Sequence, residues 1–158
     1  MSTETDVVLR DPDLDLAFIR PKAAPAKPMA FVDLANASAP LVLDDLVCLG
    51  RLGRMAGFVA GATLERVTAL ITKPRLFYAI TSGKTGGPVF TLDSKVVGIA
   101  LWRVSKSKDE DAESDWQVVA LPAEAVLKAA QQAKTAEPIK PAEPVKPAAP
   151  EPAPAPAK

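Results

Sequence analysis

The run Ser82-Gly83-Lys84-Thr85-Gly86-Gly87-Pro88-Val89 constrains this chain more than any other stretch. Glycine at 83 and 86 permits a tight path with positive φ, and Gly87-Pro88 redirects the chain into the next strand. Strand-like apolar runs lie on both sides, Arg75 to Thr81 before it and Val89 to Thr91 after it. The same rhythm of strand and turn extends from Leu41 to Leu121. Leu46 to Leu49 ends at Gly50, Gly57 to Ala60 and Leu64 to Thr72 flank Gly61-Ala62, and Val96 to Val104 follows the turn Leu92-Asp93-Ser94-Lys95. Trp116 to Leu121 is the last run. Short strands with glycine-rich turns at this spacing predict an all-β barrel or sandwich.

The flanks differ in character. Val7 to Leu9 and Leu16 to Ile19 read as two strands around the turn Asp11-Pro12-Asp13. Pro21 to Pro40, rich in Pro and Ala, reads as a connector. Ser105 to Asp115 reads as a solvated acidic loop, lacking the glycine turn and alternate ligand spacing of a calcium loop. Pro122 to Ala133 predicts a helix with proline at its first position and Val126, Leu127 and Ala130 on one face. From Thr135 to Lys158 proline recurs about every third residue without aromatics, which predicts a disordered, partly polyproline II tail. Pro138-Ile139-Lys140-Pro141 and Pro144-Val145-Lys146-Pro147 fit PxxP, so the tail is a candidate ligand for a proline-recognising domain.

Composition removes several function classes. Nineteen basic and nineteen acidic residues cancel, leaving no basic field for nucleic acid. No apolar run is long enough for a membrane span, and Met1 to Arg10, carrying Glu4 and Asp6, has no signal-peptide apolar core. At face value the compartment is the cytoplasm. Cys48, the single cysteine, lies in the apolar run Leu46 to Leu49 and reads as a buried structural thiol. No cofactor and no metal is expected. The chain contains no histidine.

Three stretches carry a resemblance to the trypsin-like serine peptidases, most closely their bacterial HtrA-type branch. Asp11-Pro12-Asp13-Leu14-Asp15-Leu16-Ala17-Phe18-Ile19 is similar to the segment holding the triad aspartate. Ala79 to Phe90 is similar to the Gly-x-Ser-Gly-Gly-Pro nucleophile loop, and Leu92 to Ile99 to the hairpin that follows it. The resemblance spans about residues 5 to 133 and implies a two-barrel family fold of which this chain supplies mainly the C-terminal barrel with its closing helix. Residues 1–21 would be a remnant hairpin of the first barrel, 22–40 the inter-barrel connector, 41–134 the second barrel plus helix, and 135–158 the tail.

What the resemblance implies for chemistry is specific. Asp15 takes the place of the triad acid and Thr85 that of the nucleophile, with the backbone amides of Gly83 and Thr85 as the oxyanion hole. Ala79, Ile80, Leu101, Trp102 and Arg103 are the substrate-groove candidates, Arg103 standing where the family often has glycine. A Ser-His-Asp mechanism needs an imidazole to take and return the hydroxyl proton, and no residue here supplies one. Thr85 carries an extra methyl that restricts χ1, and internal threonine lacks the N-terminal amine that threonine nucleophiles use as base. A Ser82-Lys84 dyad fails because Ser82 is not at the nucleophile's place.

The expected function is therefore a catalytically inactive homologue that binds a peptide or protein, with a partner covering the exposed face where the first barrel would pack. The alternative is a serine-type endopeptidase whose histidine-bearing half lies on another chain or upstream of a misassigned start, in which case the cell envelope becomes the expected compartment. A third reading makes the tail the working part.

Overall fold

The structure, a computed structural model, describes residues 3–105 and 115–139. The acidic loop between 105 and 115 and the tail from 140 onward, for which a solvated loop and a polyproline segment are expected, lie outside the described residues. Six antiparallel strands close a barrel: β3 (Asp45–Arg51), β4 (Ala60–Ile71), β5 (Phe77–Ile80), β6 (Pro88–Thr91), β7 (Val96–Ser105) and β8 (Asp115–Pro122). Their order around the barrel is β3-β4-β5-β8-β7-β6, with β6 returning to pair with β3. A separate hairpin precedes it, β1 (Thr5–Asp11) and β2 (Leu16–Pro21), and α1 (Ala123–Thr135) follows it. This is the all-β barrel with a closing helix that the strand-turn rhythm predicts.

Two apolar layers explain why β5 and β8 read as continuous hydrophobic runs. Side chains alternate across a strand. Tyr78, Ile80, Val118 and Ala120 therefore fill the barrel interior with Leu46, Cys48, Val67, Val89, Val97 and Ala100. Phe77, Val119 and Leu121 point the other way, into a second cluster with Leu101 from β7 and Val126 and Ala129 from α1. Leu14, Leu16 and Phe18 of the hairpin pack onto that second cluster. The hairpin is thus joined to the outside of the barrel rather than left without a sheet to meet. Arg20 closes the arrangement by donating to the carbonyls of Ala133 (2.7 Å) and Lys134 (2.9 Å) at the end of α1. Beyond the helix, the Ile139 amide donates to Val7 O at 2.7 Å.

Three local expectations need correction. Gly61-Ala62 is not a turn: it lies inside the twelve-residue β4, with Gly61 opposite Gly50 and Ala62 opposite Leu49. The chain reverses earlier, through a single 3-10 turn at Arg54–Ala56 closed by Gly57 at φ 63°. The sequence offers glycine at 53, 57 and 61, and only the pairing with β3 decides which one turns. Pro122 caps α1 in an extended conformation instead of occupying its first turn, because its backbone still pairs with Gly98 of β7. The buried helix face is Ala123, Val126, Ala129 and Ala133, so Leu127 and Ala130 sit at its margin. No helix among the described residues is long and apolar enough to cross a membrane.

Candidate functional site: a nucleophile-type loop on a buried carboxylate

The loop from Ser82 to Gly87 joins β5 to β6 and is held from three sides. At its start, one carboxylate oxygen of Glu65 accepts from Thr81 Oγ1 (2.7 Å), the Ser82 amide (2.9 Å) and Ser82 Oγ (2.8 Å). At its end, the Gly86 amide donates to Ala100 O (2.6 Å) and the Ala100 amide to Gly87 O (3.0 Å). From beneath, the Leu49 carbonyl approaches Gly87 so closely that any Cβ there would collide with it. Between these anchors the backbone takes φ 116° at Gly83 and φ 79° at Gly86, conformations that glycine alone adopts without strain. The amides of Gly83, Lys84 and Thr85 donate to no acceptor among the described residues.

Glu65 is the one charged side chain buried among the described residues, 4% exposed. Burial pushes its pKa up, but the hydrogen bonds from Thr81 and Ser82 outweigh that and hold the carboxyl below its ordinary range. Thr63 Oγ1, buried nearby, has no partner in hydrogen-bonding geometry, so Thr81 and Ser82 carry the stabilisation. Cys48 lies fully buried in the same interior, where burial and the Glu65 charge push its thiol up to about 11. It is a neutral, packed thiol. Sequence reading missed Glu65, though a signal existed. Val67 faces the core, and strand alternation then turns Glu65 inward as well.

The remaining candidates are carried by several elements. Thr85 is half-buried on the loop. Asp15 is exposed at the tip of the β1-β2 hairpin, at φ 56°, and no hydrogen bond joins it to Thr85. The Leu14 amide on Asp11 Oδ1 (3.0 Å) shapes that tip, and its ion pair is made by Asp13 with Arg75 at 3.6 Å. Ala79 and Ile80 are buried in β5, Ile80 inside the barrel, so their side chains are committed to packing. Leu101 belongs to the outer cluster. Trp102 is 49% exposed and meets Trp116 of β8 edge-on, ring centroids 6.3 Å apart. Arg103 points to the opposite face, its guanidinium 5.0 Å from the Phe77 ring centroid.

One backbone feature ties Trp102 to the loop. The pairing of β6 with β7 stops at Pro88 and Ile99, and the loop itself adds Ala100. From Leu101 to Ser105, β7 pairs only with β8 among the described residues. An open strand edge therefore begins where the loop ends. No group of three or more metal-ligating side chains occurs among the described residues.

Comparisons with known proteins fit this arrangement. The chain is similar in structure to the MamO protease domain of Magnetospirillum magneticum in its apo form, with a TM-score of 0.57 and 14% identity over 80% of this chain and 67% of that one. It is also similar to the inactive form of a serine-to-alanine mutant of Rv3671c from M. tuberculosis H37Rv, with a TM-score of 0.52 and 24% identity over 87% and 68%. At these identities the likeness speaks to the fold. No curated protein matches the sequence. The family profile described as trypsin-like peptidase domain matches residues 2–99, well over half of the chain. The chain belongs to the trypsin-like peptidase domain family.

Proposed function

We propose that this chain is a catalytically inactive trypsin-like module that binds an extended peptide or protein segment. The carrying observation is that a nucleophile-type loop presents Thr85 where the family's serine should be, on a chain without histidine. Amide hydrolysis needs a base beside the hydroxyl and an acid for the leaving amine. Glu65 is engaged below the loop by three hydrogen bonds, and Asp15 is on the hairpin tip. Neither carboxylate is hydrogen-bonded to Thr85 among the described residues. In a serine protease of another fold, loss of either the serine or the histidine costs about 10⁶ in turnover.

Binding survives the loss of chemistry because it uses other atoms. The N–H and C=O groups on the edge of β7 beyond Ala100, unpaired among the described residues, can pair with an extended backbone, as in strand addition. The exposed faces of Trp102 and Trp116 offer apolar area to its side chains. The loop amides at 83 to 85 would receive a carbonyl or carboxylate of the same segment. The barrel and helix, residues 41–134, form the binding unit in this reading, and the proline-rich tail serves as spacer.

Two assays on the purified chain test the proposal. Labelled extended peptides should bind in fluorescence anisotropy, and Trp102→Ala should weaken that binding by about tenfold. Casein should remain intact, and a fluorophosphonate probe should leave Thr85 unlabelled. Casein hydrolysis that disappears in Thr85→Ala would replace this reading with an endopeptidase.

A further inference from the structure

A cavity of about 380 Å³ opens on the face of the sheet opposite Trp102, between the β4-β5 turn and the β7-β8 ladder. Its walls are Ile71, Phe77 and Val119, all members of the outer apolar cluster. Its rim is different. Lys73 comes from the turn, Arg103 from β7, and Gln117 from the position on β8 directly opposite Arg103. The Arg103 guanidinium carbon lies over the Phe77 ring, 5.0 Å from its centroid, and its N–H groups meet no acceptor among the described residues. Among the described residues neither Lys73 nor Arg103 is paired with a carboxylate, and Asp13 of the β1-β2 hairpin tip is taken by Arg75. The two cations beside this apolar hollow favour an anion, while the Gln117 side-chain amide already donates to Ile80 O (3.2 Å) and Val118 O (3.1 Å).

We propose that this cavity is a carboxylate-binding site, taking a single carboxylate on an apolar body. The planar fork of Arg103 matches a carboxylate bidentately, Lys73 adds a second charge, and Ile71, Phe77 and Val119 receive the apolar part. Arg103 and Val104 belong both to the cavity and to the open edge of β7. The carboxylate can therefore come from a free small acid or from an acidic side chain of a segment docked on that edge. The second source rests on the binding function proposed above.

Calorimetry of the full chain with phenylacetate and with phenylacetamide reads the free-acid source. Anisotropy with capped extended peptides differing only in a central Glu, Gln or Lys reads the peptide source. In at least one arm the carboxylate should bind about tenfold tighter than its neutral isostere, and added salt should erode the difference. Arg103→Gln should abolish the preference. Lys73→Gln, on an exposed turn where folding is not at stake, should reduce it several-fold. Selectivity for phenylacetate alone assigns a free acid, and selectivity for the Glu peptide alone assigns a docked acidic residue. Equal binding of acid and neutral isostere, no binding in either arm, or a preference that persists in both variants overturns the site. Peptides that bind without regard to charge, together with phenylacetate no tighter than phenylacetamide, would remove this site and keep peptide docking. Charge-selective phenylacetate binding without peptide binding would do the reverse.

Discussion

At the scale of single residues, Glu65 decides most. Three donors converge on one of its oxygens, and removing that acceptor deprives all three of it. Glu65→Leu should cost about 1 kcal/mol in urea unfolding, since Thr81 and Ser82 are exposed and can turn to water. Glu65→Gln should cost less, since an amide oxygen can still accept. Its acid behaviour has a defined sign. The folded pKa is depressed, so the native state binds fewer protons than the unfolded chain, and stability is complete above the unfolded value near 4.5. That contribution is lost as pH falls through the lower folded value. The acid limb of a stability-pH curve should therefore flatten in Glu65→Gln. Cys48 gives a second residue-level prediction. With its thiol raised to about 11 and fully buried, it should resist a disulfide-exchange reagent at pH 8 until the barrel is unfolded in guanidinium.

Among elements, the loop and the helix are held by different means. Gly87→Ala would drive a methyl into the Leu49 carbonyl, forcing β3 and the loop apart. It should lower stability by about 1–3 kcal/mol and weaken peptide binding together, read by thermal unfolding and anisotropy on the same sample. Arg20 acts on α1 by placing a cation on its last carbonyls. Arg20→Ala should leave the barrel intact while amide exchange accelerates in the last turn of the helix. Element existence was legible because β7 and β8 hold apolar runs bounded by polar segments and the 92–95 turn carries Asp-Ser-Lys between apolar runs. The turn before β4 was misplaced because Gly57 and Gly61 carry the same local message. The cross-strand partner of Gly61 is what forces it to stay extended.

For the whole molecule, the hairpin and barrel share one apolar layer through Leu14, Phe18, Phe77, Leu121 and Val126. They should unfold together, and Leu14→Ala, removing a side chain 6% exposed, should cost about 2–4 kcal/mol in a single cooperative transition. Two transitions would show that the hairpin is an independent unit. The sequence by itself determined the all-β class, the glycine loop with its family resemblance, and the lack of any imidazole to drive the chemistry, because these depend on residue identity and local order alone. Tertiary structure decided the rest. Glu65 became an anchor only when β4 turned it inward below β5. Arg103 met Phe77 only through the β5-β8-β7 pairing. Contacts between segments tens of residues apart are set by strand order and register, and no local pattern in a chain encodes which strands will become neighbours.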